Sequence, residues 1–114
     1  MLEMFMALAE QNRYRIVELL RSGPLPVNRI GAQLRLNQPQ VSKHLRVLKE
    51  AGLVDVEPHA QHRVYELRGE PLRDMHDWLE RYRRFWDQRL DQLNELVVEL
   101  AKKEKADARR KKRQ

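Results

Sequence analysis

Apolar residues recur at helical spacing along most of this chain and alternate with polar ones over one short region. From residue 38 to 51, Val41, Leu45 and Leu48 fall on one stripe at 3.6 residues per turn, with Ala51 near it. Pro39, Ser42, Lys43 and Arg46 fall on the opposite side. Asn37 suits the N-cap, with Gln40 three residues on as capping-box partner, and Pro39 is tolerated in the first turn. Gly52 suits a left-handed stop, with Leu53 folding back as its apolar contact. The pattern therefore predicts a short, well-delimited helix with an apolar back. Its front is polar and basic, with no acid before Glu50. A solvated face mixes both signs, whereas a face that meets phosphates and base edges does not. His44 lies nearer the stripe and reads as a packed structural histidine.

Upstream, Leu2 to Ala9 reads as a helix that Leu2, Phe5, Met6, Leu8 and Ala9 make apolar nearly all round, so it is expected to be buried on most sides, in part by a second chain. Asn12 is a candidate cap for RYRIVELLRS, whose Ile16, Val17, Leu19 and Leu20 form a core stripe ending at Ser22-Gly23-Pro24. After Pro26, VNRIGAQLRL places Val27, Ile30 and Leu34 on one face. Gly31, at about 1 kcal/mol against Ala in a helix interior, is expected to let the next helix approach closely. Arg35-Leu36-Asn37 is then the turn, and helix, short turn, helix with a basic front is a helix-turn-helix.

Downstream, residues 53–57 and 63–67 alternate apolar and polar and carry β-branched or aromatic residues. They predict a hairpin whose five-residue tip is Pro58-His59-Ala60-Gln61-His62. From Pro71 the chain reads as one long helix to about residue 101. Leu72, Leu79, Trp86, Leu93 and Leu100 recur every seven residues, joined by Met75, Tyr82, Leu90, Leu96 and Val97. At ~45 Å of helix this face is too long for so small a domain to cover, and an identical chain would cover it most economically. Trp78, Tyr82, Phe85 and Trp86 read as core and dimer packing. The expected organisation is one domain over residues 1–101, mostly α with a small β-hairpin in the order α-α-α-α-β-β-α, dimeric through its terminal helices. A basic, disordered tail is expected over residues 102–114.

Charge sharpens this picture. The net charge of +6 equals that of residues 102–114, with eight Lys/Arg and two acids, so the remainder is neutral overall. Within it, Arg21, Arg29, Arg35, Lys43, Arg46 and Lys49 lie between Glu18 and Glu50 with no acid among them, the footprint of a nucleic-acid-binding face. No window approaches the roughly 18 apolar residues of a membrane span. The opening MLEMFMALAEQNR has no basic n-region or cleavage site, and the chain has no cysteine, so a cytoplasmic protein without disulfides or thiolate metal sites is expected. Neither a Gly-rich phosphate loop nor a Ser-His-Asp order is present, which speaks against an enzyme.

On this reading Gln38, Gln40, Ser42, Lys43 and Arg46 lie at or near a major groove, Gln and Arg reading base edges and Lys43 meeting a phosphate. The hairpin tip becomes a wing in which Arg63 leads and His59, Gln61 and His62 support it. The dimer face comprises Leu2, Phe5 and Met6 with Leu79, Tyr82, Trp86, Leu90, Leu93 and Val97.

The motifs VSKHLRVLKEAGLV (41–54) and HRVYEL (62–67), with weaker support from NRYRIVELL (12–20) and LERYRRFWDQRLDQL (79–93), resemble the winged-helix regulators of the ArsR family. The resemblance covers about residues 2–100. It implies a homodimeric repressor on an inverted-repeat operator in double-stranded DNA. Many relatives sense metals, one site through cysteines in the first helix of the helix-turn-helix, where LPVNRIG has none. The other site is Asp-x-His followed along the long helix by His-x-x-Glu. Asp74 and His76 match its first half, but Asp87 and Leu90 stand where the second histidine and the acid belong. No metal effector and no cofactor are expected. Two alternatives fit the same elements: a winged helix that docks on a protein, and a regulator holding an apolar effector between the long helices.

Overall fold

A computed structural model of the chain describes residues 1–113. Its elements are α1 (Leu2–Leu8), α2 (Gln11–Leu20), β1 (Leu25–Pro26), α3 (Val27–Leu34), α4 (Gln38–Glu50), β2 (Val54–His59), β3 (His62–Leu67), α5 (Gly69–Glu80) and α6 (Arg83–Arg113). They form two compact units that divide after His76, within α5.

In the first unit, Ile16 and Leu20 of α2, Ile30 of α3 and Val41, Leu45 and Leu48 of α4 are buried with Ala7, Leu53, Val54 and Met75 in one core. The three-residue stripe predicted for α4 is fully buried, while Ala51 is half-buried beside it. Val17 and Leu19 pack on this core from its edge. The sheet has the order β1-β3-β2, antiparallel throughout, so β3 is the central strand. The two-residue strand β1, which the sequence pattern did not predict, pairs Leu25 with Tyr65 and Pro26 with Val64. Proline cannot donate to a ladder, and both Pro26 and Pro58 lie on edge strands where this matters least.

Two local expectations are corrected. Asn12 does not cap α2: Glu10 does, its Oε2 accepting the backbone N–H of Arg13 at 2.9 Å, while Asn12 Oδ1 accepts from Arg15. The hairpin tip is two residues rather than five. Pro58 pairs with Arg63 and His59 with His62, leaving Ala60-Gln61 as the turn, with Ala60 at φ 56°. Alternation could not show this, because neither Pro58 nor the histidines signal a strand. In α1, Ala7 is buried and Met4, Phe5 and Leu8 are half-buried, while Leu2 and Met6, expected to be covered by a second chain, are exposed at 71% and 64% in the single chain.

The single long helix expected from Pro71 is two. Its first turn begins earlier, at Gly69, and the helix is interrupted at Arg81-Tyr82, where neither glycine nor proline marks a break. Leu72 and Met75, the first apolar residues of the heptad series, belong to the core of the first unit. In the second unit, Leu79, Tyr82, Trp86, Leu90, Leu93, Val97 and Leu100 are exposed along the helices. Trp78 packs on Tyr82 with centroids 5.0 Å apart, Phe85 meets Trp86 edge-on, and the Arg89 guanidinium lies over Phe85. The run from Lys102, expected to be a disordered tail, is helical as far as Arg113. No described helix is long and apolar enough to cross a membrane.

Candidate nucleic-acid interface

Both ends of α4 are fixed by its own sequence. Asn37 Oδ1 accepts the Gln40 N–H at 2.9 Å and Gln40 Oε1 accepts the Asn37 N–H at 3.1 Å, a complete capping box. At the far end Gly52 takes φ 84°, and the N–H groups of Gly52 and Leu53 bond the carbonyls of Lys49 and Leu48. That is the Schellman pattern expected from Ala-Gly-Leu.

The turn before α4 depends on two residues. Arg35 closes α3 in the left-handed region at φ 57°, and the Leu36 N–H reaches back to the Gly31 carbonyl at 3.0 Å. A Cβ on Gly31 would lie 2.8 Å from the Leu36 carbonyl oxygen and 3.6 Å from Val41 Cγ2. What the glycine admits is the Leu36 carbonyl of the turn and not, as expected, the following helix, whose Val41 would stand at ordinary van der Waals contact. Arg15 of α2 donates to the Leu34 carbonyl at 3.0 Å, satisfying an acceptor that the end of α3 leaves open.

His44 holds the other side of α4. Its side chain is 13% exposed, and Nδ1 lies 3.6 Å from Glu10 Oε2 without a hydrogen bond. The Glu10 carboxyl is held below the ordinary glutamate range, first by the N–H of Arg13. Partial burial opposes this, while the Asn12 N–H and the charges of His44 and Arg13 add to it.

With its back packed, α4 turns its front into a groove bounded by the start of α3 and the hairpin. Gln38, Pro39, Ser42, Lys43, Arg46 and Lys49 line one wall. Gln61, His62, Arg63 and Tyr65 line the other, and Val27 and Asn28 close the end. Lys43, Arg46, Lys49 and Arg63 supply four cations, and no carboxylate is among these described lining residues. Cations of this kind meet phosphates, and the Gln and Arg head groups can make paired bonds to base edges.

Seven of the nine predicted contact residues therefore meet in one groove: Gln38, Ser42, Lys43 and Arg46 with Gln61, His62 and Arg63. Gln40 and His59 are not part of it. The carbonyl oxygen of Gln40 is committed to the cap, and His59 Nε2 stands 3.9 Å from Glu57 Oε2. Val27, Asn28 and Tyr65 were missed, and Lys49, counted in the basic patch, was not named as a contact. Lys49 follows Arg46 by three residues, the helical spacing that would have revealed it. Asn28 and Tyr65 reach the groove only through the fold. Among the described residues no group of three His, Cys, Asp or Glu could hold a metal ion.

The model for bacterial regulatory proteins of the arsR family matches residues 6–56, which span the helix-turn-helix and the start of β2. The HTH-type transcriptional regulator Rv2034 of Mycobacterium tuberculosis is 40% identical over 91 residues, covering 80% of this chain and 82% of that protein. The chain belongs to the ArsR family. Transcriptional repressor SdpR of Bacillus subtilis is 28% identical over 75 residues, covering 66% of this chain and 83% of its own. Among solved structures, the homodimeric winged helix-turn-helix DNA-binding domain of a possible ArsR-family regulator from Mycobacterium bovis superposes with a TM-score of 0.60 at 27% identity. That match covers 68% of this chain and 72% of the other. The present ArsR-family chain is accordingly a winged helix-turn-helix, DNA-binding regulator of transcription and not an enzyme. In this fold α4 is the second helix of the helix-turn-helix and β2-β3 is the hairpin that follows it.

Proposed function

We propose that the protein is a homodimeric repressor that binds an inverted-repeat operator without a metal effector. The observation that carries this reading is the acid-free groove between α4 and the wing. Gln38 and Arg46 are assigned to base edges and Lys43 to a phosphate. Arg63, with Gln61 and His62, is assigned to the backbone or minor groove beside the wing. Two α4 helices related by a two-fold axis would enter successive major grooves about 34 Å apart, matching half-sites about 10 bp apart. Repression would follow from occupying promoter DNA.

Dimerisation is supported by apolar surface that a monomer leaves in water. Leu2 and Met6 on α1 are exposed, as are Leu79, Tyr82, Trp86, Leu90, Leu93 and Val97 in the second unit. The M. bovis domain is itself homodimeric and SdpR is a repressor, which agrees with both parts of the proposal.

The test is selection of bound sequences from a random duplex pool, with and without EDTA. An inverted repeat enriched equally in both supports a metal-independent operator reader. Enrichment lost with EDTA would overturn the metal-independent part, and no enrichment in either would favour a winged helix that docks on a protein.

A further inference from the structure

The last part of α6 is a basic arm whose charges are sorted by face. Lys102, Lys105, Arg109 and Lys112 follow one another at steps of three, four and three, which places them on one stripe of the helix. Glu104 and Asp107 fall on the opposite side, in line with Val97, Leu100 and Lys111, with Lys103 and Arg110 between the two stripes. All of these residues are exposed. Because the segment is helical, the four cations are held along about 15 Å of one face at 1.5 Å per residue. A duplex presents a phosphate charge about every 1.7 Å of its axis, so this face meets several at once.

The apolar stripe ends at Leu100, and between Lys102 and Arg113 the only apolar residues are Ala106 and Ala108. A helix that lies on a lipid surface buries an apolar face, which this arm lacks. Packing does not account for the arm either, since the acids occupy the continuation of the apolar line. What remains is attraction for a polyanion, in a chain that binds DNA.

We propose that residues 102–112 form a second foothold on nucleic acid, in which Lys102, Lys105, Arg109 and Lys112 engage backbone phosphates without reading sequence. The proposal rests on the chain being a DNA-binding regulator, and is independent of the operator symmetry and base contacts assigned to α4.

The test compares the full chain with a fourfold variant, Lys102→Gln, Lys105→Gln, Arg109→Gln and Lys112→Gln. Each replacement keeps a good helix former, and circular dichroism checks that the helix survives. Affinity for a random-sequence duplex is measured across a salt series. Each lost phosphate contact lowers the slope of log affinity against log salt by about 0.9, so the expected drop is about 3 to 4 per protomer. Preference for an enriched operator over random duplex is expected to persist. An unchanged slope overturns the proposal. So does an unchanged slope accompanied by lost binding to phosphatidylglycerol vesicles, which would make the arm a lipid contact. A failed operator selection, by contrast, touches only the reading of α4, because the slope is measured on random DNA.

Discussion

His44 on α4 stands 3.6 Å from Glu10, whose carboxylate also accepts the Arg13 N–H at the start of α2. One carboxylate thus caps the beginning of α2 and faces the packed side of α4. Its proton equilibrium is held below the ordinary glutamate range, chiefly by the Arg13 N–H. A lowered value in the folded protein means stability that is present at neutral pH, above the unfolded-state value. It is lost as acidification passes through the folded-state value. Glu10→Ala is expected to cost about 1 kcal/mol at pH 7, as for loss of an N-cap. Urea midpoints taken from pH 7 downwards should show that gap closing through the acidic range. A gap that stays constant would show that the carboxylate charge is not its source.

Gly31→Ala sets helix propensity against packing. Alanine gains about 1 kcal/mol in a helix interior. Its methyl would nevertheless stand 2.8 Å from the Leu36 carbonyl oxygen, a backbone atom held by the turn. The clash is expected to win, with a net loss of about 1–3 kcal/mol as for overpacking. Because the strain falls on the turn that aims α4, DNA affinity should fall as well. A variant as stable as the parent in denaturant titration would show that the turn yields.

Arg46 and Lys43 line the same groove but are given different roles. Arg46→Ala is expected to weaken operator binding by about 1–3 kcal/mol and relax selectivity at one base position. Lys43→Ala should weaken operator and random duplexes alike and lower the salt slope by about 1. Equal losses on both duplexes for Arg46→Ala would make Arg46 a phosphate contact instead.

Trp86 and Leu93 are 60% and 57% exposed on the second unit. In a dimer joined through α6, Trp86→Glu or Leu93→Glu places a carboxylate in an apolar seam, where an unpaired charge is strongly unfavourable. Sedimentation velocity should report a monomer for each. Dimers that survive both changes would move the interface away from this face.

Much of this protein was legible before folding, because the signals are local. Asn37 with Gln40, and Gly52 with Leu53, bound α4 through bonds within one turn of the helix, and residue types at fixed offsets suffice to reveal such bonds. Its buried side followed from periodicity alone, since Val41, Leu45 and Leu48 need share only one stripe. Less was legible where the deciding partner is distant in sequence or leaves no compositional mark. Asn28 joins the groove from α3, and Tyr65 from a strand nearly forty residues on. The break at Arg81-Tyr82 lies in a stretch whose apolar period runs straight through it.

By itself, the sequence determined the helix-turn-helix, the acid-free front of α4 and the family, because these depend on short-range spacing and on the sign of local charge. Only the tertiary structure decided that His44 faces Glu10, that Gly31 abuts the Leu36 carbonyl and that the wing places Arg63 in the groove lined by Arg46. Those relationships are distances across packed elements, and they are set when the core closes and not by the pattern of any one segment.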